Sequence, residues 1–215
     1  MTSVDDSLTA LVDQLTTRCP QLHLLKMLCA SSDEDFDTAL EDLLEAAVIH
    51  IENNSPHLAN CDEEAITAFL VAYLNMPGFL RALQEAYTKG HVDITIEAEP
   101  ALPMRRRLGE AKIYGGPSYH VKGLNQLVNR YSTGRYGTGI LIEYFKKPNI
   151  RIFIERIREQ LNKTKPCSQN GVCEDHQMRW AFTTYHHHIS GETIRVLHLN
   201  CNMVVSKRNN HKRMR

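Results

Sequence analysis

The sequence predicts an α/β fold, and three observations carry that prediction. Apolar residues recur at helical spacing through residues 5–57 and again from residue 62. The period then drops to two at "VDITIEAE" (92–99). From there strand-like and helix-like stretches alternate as far as residue 163, as expected of a sheet covered by helices.

The elements follow in order. "DDSLTALVDQL" (5–15) puts Leu8, Leu11, Val12 and Leu15 on one helical face, and Pro20 interrupts the pattern. "SSDEDFDTALEDLLEAAVIHIENN" (31–54) opens with a capping box, Ser32 to Asp35. Its core face is Phe36, Leu40, Leu43, Leu44, Ala47 and Ile51, and its acidic outer face reads as solvated. "NNSPHLANC" (53–61) is a loop and a domain boundary. A second capped helix, "CDEEAITAFLVAYLN" (61–75), is apolar enough to pack centrally through Ile66, Phe69, Leu70, Tyr73 and Leu74.

In the first strand Val92, Ile94 and Ile96 point one way, and Asp93, Thr95 and Glu97 the other. "PALPMRRR" (100–107) turns the chain into a second strand, "LGEAKIY" (108–114), in which Glu110 and Lys112 share a face. After "GGPS", an amphipathic helix (118–132) directs Val121, Leu124, Val128 and Tyr131 inward. "TGILIEYF" (138–145) reads as a buried strand. Residues 149–163 form a further amphipathic helix through Ile150, Phe153, Ile154, Ile157 and Leu161. "TKPCSQNGVCEDHQ" (164–177) reads as a loop, and a hairpin turning at "ISGE" closes the ordered chain. The resulting division is an acidic helical region (1–57), a main domain (58–206) and a basic disordered tail (207–215).

The 215 residues are 42% hydrophobic and 23% charged, the composition of a globular protein rather than a disordered or fibrous one. No apolar run approaches the roughly 20 residues of a membrane span. The acidic start, "MTSVDDSLTALV", is unlike a signal peptide, so the expected compartment is the cytoplasm, with the six cysteines reduced. The net charge of zero hides an asymmetry. Residues 1–103 hold 4 Lys+Arg against 18 Asp+Glu, and residues 104–215 hold 21 against 7. Such a basic half suits a polyanion, and its aromatic, Asn and Gln residues lean toward nucleic acid. Two solvated faces attracting each other is the plainer alternative.

Sixteen residues lie between Asp93 and the Glu110-Ala111-Lys112 triplet, on strands suited to pairing. Two carboxylates brought together repel and call for a cation. A hard divalent ion prefers such oxygen ligands and keeps waters for chemistry. A lysine beside it serves a water or a phosphate. The set suits metal-assisted phosphodiester hydrolysis.

The pattern of strand Asp, hairpin, "EAK", helix with a Gln and apolar strand resembles the PD-(D/E)XK nucleases. The text "GEAKIYGGP…LNQLVNRYSTGRYGTGILIEY" is similar to their bacterial restriction-type members over roughly residues 60–205. The resemblance implies a restriction-endonuclease-like core, a central mixed sheet flanked by helices. It implies a Mg²⁺- (or Mn²⁺-) dependent DNA endonuclease of bacterial defence, restriction-like or an anti-phage effector. It would act as a homodimer or within a hetero-complex with other defence subunits. Asp93 and Glu110 would be metal ligands, the Ala111 carbonyl a third, and Lys112 would serve the attacking water. Gln126 matches a helix glutamine that orients lysine, water or phosphate. Glu63 matches a helix glutamate near the metal, with Glu64 its close rival. Arg105, Arg106, Arg107, Lys122, Arg130, Tyr131 and Arg135 are the expected DNA contacts. The Gln126–Tyr131 spacing is one residue longer than the family's common form.

The alternative is a non-catalytic nucleic-acid-binding or interaction subunit on the same fold. A third reading, a zinc-stabilised adaptor, rests on Cys167, Cys173, His176 and Cys201, whose spacing is poor for zinc. Within "YHHHIS" only His186 and His188 share a face, and they read as polar edge-strand residues.

Overall fold

The computed structural model describes residues 29–87, 91–98 and 104–205, with scattered positions between Ser7 and Met27. Helices α1 (Asp33–Asn53), α2 (Ser55–Leu58) and α3 (Glu63–Leu74) lead into strands β1 (Leu80–Tyr87), β2 (His91–Ala98) and β3 (Arg106–Ile113). Helix α4 (Pro117–Asn125) continues as a π-helical turn (Gln126–Tyr131). Strand β4 (Thr138–Phe145), helix α5 (Ile150–Thr164) and strands β5 (Gln169–Asp175), β6 (Phe182–His187) and β7 (Thr193–Asn202) follow. The seven strands make one mixed sheet in the order β1-β2-β3-β4-β7-β6-β5. Only the central β3–β4 and β4–β7 pairs are parallel. The chain is thus α/β, with helices on both faces. Among the described residues no helix is long and apolar enough to cross a membrane.

Both N-terminal helices begin where the side chains dictate. Ser32 Oγ accepts from Asp35 N–H at 3.0 Å, and the Asp35 carboxylate accepts from Ser32 N–H at 3.1 Å. Asp62 caps α3 by accepting from Ala65 N–H at 2.9 Å. All six expected core residues of α1 are buried. They join Ile66, Leu70 and Leu74 of α3 and the sheet residues Ile94, Ile96, Ala111, Ile142 and Leu199 in one apolar core. A second core, under α4 and α5, gathers Leu124, Val128, Tyr131, Leu141, Ile154, Ile157 and Leu161.

Four features depart from the sequence reading. "LRALQEAY", which the sequence reading leaves unassigned, forms edge strand β1 on a seven-pair antiparallel ladder with β2. The expected loop 164–177 contains strand β5, whose outward face is polar and whose ladder is broken between Asn170 and Glu174. Because β5 takes the edge, β6 lies inside the sheet, and His186 and His188 are buried instead of being edge residues. At the N-terminus, Leu11 is 51% exposed and covers no core, while Leu8, Val12 and Leu15 lie outside the described residues. The tail 207–215 lies outside them as well.

The acidic face of α1 is not simply solvated. Asp33, Asp37 and Glu41, spaced four apart, form a stripe that meets basic residues of the second half. Arg107, 1% exposed, donates Nε–H to Asp37 Oδ1 at 2.6 Å. Thr138 donates its hydroxyl to the other Asp37 oxygen at 2.6 Å. Arg105 pairs with Asp33 at 3.2 Å, and Glu41 takes Arg195 at 2.6 Å and His176 at 3.1 Å. A buried charge left without its partner costs far more than an exposed one. Arg107→Leu is therefore expected to destabilise the fold by about 3–5 kcal/mol in urea titration, against less than about 1 kcal/mol for Arg151→Ala in the exposed Arg151–Glu155 pair.

Candidate active site

Strands β2 and β3 pair only from Glu97↔Arg106 to Ile94↔Gly109. A Cβ on Gly109 would stand 3.1 Å from the Ile94 Cβ, so glycine permits this last close crossing. Beyond it the strands part, and the β2-facing N–H groups of Ala111 and Ile113 lose their ladder partners. Two carboxylates replace the ladder. Asp93 Oδ2 accepts from Ala111 N–H at 3.0 Å, and Glu63 Oε2 accepts from Ile113 N–H at 2.8 Å. In an extended strand a residue's N–H and C=O point to the same side, so the Ala111 carbonyl faces this gap too.

Lys112 reaches into the carboxylates. Its Nζ lies 2.7 Å from Glu110 Oε1, 3.2 Å from Glu63 Oε1 and 3.4 Å from Asp93 Oδ2. Glu110 is wholly buried, and apart from the Lys112 ammonium beside Oε1 neither of its oxygens has a hydrogen-bond partner. Burial raises the Glu110 carboxyl to about 7, with Asp93 adding to the rise and Lys112 opposing it. Burial acts to lower the Lys112 ammonium, but Glu110, Asp93 and Glu63 outweigh it and hold the amine above its ordinary value.

Helix α4 covers this centre. A Cβ on Gly123 would stand 3.3 Å from Leu141 Cδ1, 3.4 Å from Lys112 Cγ and 3.6 Å from Glu110 Cγ, so only a residue without a side chain lets the helix lie this close. One turn on, Gln126 donates to the Tyr131 hydroxyl at 3.4 Å. The π-helical turn 126–131 accounts for the long Gln–Tyr spacing. It takes in one extra residue and still brings the two side chains together. Tyr131 is buried, and burial raises its phenol, with Glu110 and Asp93 contributing. Its hydroxyl therefore senses the carboxylate centre.

The structure separates Glu63 from its rival. Glu63 contacts Lys112 and β3, whereas the Glu64 side chain is exposed and only its carbonyl is engaged, by Gln84. Both line an acidic cleft of about 310 Å³ together with Asp62, Thr67, Gln84 and Asp93. Among the expected DNA contacts, Lys122, Arg130 and Arg135 are exposed. Arg105 and Arg107 are committed to Asp33 and Asp37, and Arg106 pairs with Glu97. Cys167, Cys173 and His176 diverge: the Cys173 thiol donates to Arg158 O, the Cys167 thiol to Asn125, and His176 contacts Glu41.

One group of buried polar residues has no forerunner in the sequence reading. Glu143, the register partner of Lys112, lies 3.1 Å from His120 Nδ1, and both are wholly buried. His120 Nε2 is 2.9 Å from His198 Nδ1, His198 Nε2 is 2.8 Å from Thr184 Oγ1, and Thr184 Oγ1 is 2.7 Å from His186 Nε2. The only sequence signal was a histidine at an inward position of each element.

Among the described residues no three His, Cys, Asp or Glu side chains are placed to hold a metal ion between them, since the carboxylates converge on the Lys112 ammonium. The donor chemistry nevertheless suits a hard cation. It offers only oxygens, and one of the carboxylates, Glu110, is wholly buried. The chain matches no protein-family model, no curated protein and no solved structure.

The Glu110 environment has a consequence for stability. Its folded carboxyl stands above the usual 4.5, so the folded chain holds a proton that the unfolded chain has already released. Stability from this group is complete below pH 4.5 and is lost as pH rises toward about 7. Glu110→Gln removes that loss. Measured by chemical denaturation, the variant is expected to gain on wild type between pH 4.5 and 8, by up to about 3 kcal/mol. The difference between the two proteins cancels the titrating groups they share.

Proposed function

We propose that the chain is a metal-dependent DNA endonuclease of the PD-(D/E)XK type, built on a restriction-endonuclease-like core. The observation that carries this reading is the gathering of Asp93, Glu110, Glu63 and Lys112 where β2 and β3 part, with Glu110 wholly buried and Lys112 the cation beside it. A structural ion pair needs one carboxylate per ammonium. Here three meet one, beside an open acidic cleft. The excess negative charge is what a divalent cation neutralises.

Asp93, Glu110 and the Ala111 carbonyl would hold Mg²⁺ or Mn²⁺, with Glu63 beside them. When bound, the ion supplies Lewis-acid activation of water and neutralises charge on the scissile phosphate. The protein's own part is positional. Lys112, kept protonated by its carboxylates, donates hydrogen bonds to the attacking water or to a phosphate oxygen. Gln126, steadied by Tyr131, orients the same group from α4. Among the described residues Lys122, Arg130 and Arg135 are exposed and form no ion pair, and they suit phosphate contacts along the DNA backbone. Arg105 and Arg107 are left out of this role because α1 already holds them. A defence role in the cytoplasm, with duplex DNA as substrate and further subunits as partners, belongs to the same proposal.

The test is cleavage of plasmid, linear duplex and single-stranded DNA with Mg²⁺ and with EDTA. Asp93→Ala, Glu110→Ala and Lys112→Ala are each expected to lower the rate by at least about 100-fold. Glu63→Gln is expected to slow it by about tenfold or more, and Glu64→Gln to leave it within about threefold. Unchanged cutting in the Asp93 and Glu110 variants would falsify the assignment. DNA binding without cutting, under every metal tried, would favour the non-catalytic subunit.

A further inference from the structure

A second cavity lies away from the carboxylate centre and shares none of its residues. About 300 Å³ opens between the second half of α1 and the segment joining β5 to β6. Its apolar lining is Val48, Ile49, Met178, Leu199 and the indole of Trp180. Its charged lining is Glu45 and Glu52 on α1 and Arg179 on the facing segment. The volume is at the lower end of small-molecule sites, and apolar walls with a few charged groups are their usual make-up.

Three features mark this cavity as built. Trp180 adopts a left-handed backbone, φ 64°, which costs a bulky residue energy and recurs where a side chain must be presented to a ligand. That conformation is pinned from below, since Asn200, itself buried, donates its side-chain N–H to the Trp180 carbonyl. The acidic wall is in place but underused. Glu52 accepts one hydrogen bond, from Asn202 N–H at 2.7 Å, and no ion pair to Glu45 occurs among the described residues.

What the cavity selects is displayed by the protein's own chain. The Arg179 guanidinium lies 4.6 Å from the centroid of the Trp180 ring and within the field of Glu52. A planar cation on an indole face, with a carboxylate near its N–H edge, is a favourable arrangement. Arg179 itself is exposed and tethered only by its flexible stem. It stands where a free ligand of the same chemistry would bind.

We propose that this cavity is a binding site for a small organic cation with a planar guanidinium- or amidinium-type head and an apolar body. The head lies on Trp180 and is held by Glu52 and Glu45. The body fills the space over Val48, Met178 and Leu199. Arg179 is the resident competitor that such a ligand displaces.

Trp180 is the only tryptophan in the chain, so its emission reports on this site alone. The full-length protein is titrated with benzamidine, with benzoate and benzyl alcohol as matched anionic and neutral probes, and binding is followed by emission and by calorimetry. Saturable binding of benzamidine, absent with the other two, is expected. Glu45→Gln and Glu52→Gln should each weaken it about three- to tenfold. Arg179→Ala is the decisive variant. Removing the competitor should tighten binding about three- to tenfold, whereas a merely structural role for Arg179 predicts no change or a loss. No saturable binding by either method, equal response to benzoate, or weaker binding in Arg179→Ala would overturn the proposal.

Discussion

One ammonium organises the centre of this protein. Lys112 places a single positive charge among Glu110, Glu63 and Asp93, and each of those carboxylates belongs to a different element. Glu63 ties α3 to the sheet, and Asp93 ties β2 to β3 beyond the point where their ladder ends. Without Lys112 the three carboxylates would repel, and Glu110 would be a buried anion with no cation near it. Without the carboxylates, two backbone donors of β3 would be orphaned in the gap. The parting of β2 from β3 and the cluster that fills it are thus one feature. Gly123 completes it by letting α4 lie on the aliphatic parts of Lys112 and Glu110.

The charge asymmetry of the sequence resolves along a different line. Much of the apparent attraction for a polyanion is used inside the molecule. Asp33, Asp37 and Glu41 on α1 hold Arg105, Arg107 and Arg195. The pairing of Arg107 is buried, and a guanidinium so enclosed cannot reach a phosphate without unseating α1. Lys122, Arg130 and Arg135 remain exposed on and just after the helix that covers the carboxylate centre. Charge counting by halves of the chain predicts a strong field. Pairing residue by residue leaves a smaller, better-placed one.

Patterns tied to one element were legible in the sequence. The capping box of α1, the apolar faces of α1, α3, α4 and α5, and the closing hairpin all depend on local spacing, and all appear in the structure. The meeting of Asp93, Glu110 and Lys112 was also legible, because a residue two positions from another on a strand shares its face. What escaped depends on distant partners. β1 is rich in helix-forming residues and is a strand only because β2 lies beside it. β5 has an Asn-Gly turn signal and two inward residues, so no local period marks it. Its presence turns His186 from an edge residue into a buried one. The sequence left Glu63 and Glu64 as rivals, because the contact that separates them needed the sheet.

The buried histidines follow from the same constraint of matching acceptors with donors. Glu143 sits one strand from Lys112, on the same face, with neither oxygen in a hydrogen bond. Its near neighbour is His120 Nδ1. The rest of the chain of contacts has a consistent direction, assigned from partners. His186 Nδ1 faces the Cys167 carbonyl at 3.2 Å and must carry hydrogen, which leaves Nε2 to accept from the Thr184 hydroxyl. That hydroxyl must then accept from His198 Nε2–H, and His198 Nδ1 accepts from His120 Nε2–H. Burial keeps His198 and His186 from gaining a second proton, in keeping with these single-donor roles. With Nε2–H of His120 so committed, its Nδ1 faces the Glu143 carboxylate across 3.1 Å. The sheet face beneath α4 thus carries two buried carboxylates: Glu110 is offset by the charge of Lys112, and Glu143 lies against the His120 imidazole. The cleft beside this centre is lined by Glu63 and Asp93, while Glu110 and Glu143 are both wholly buried.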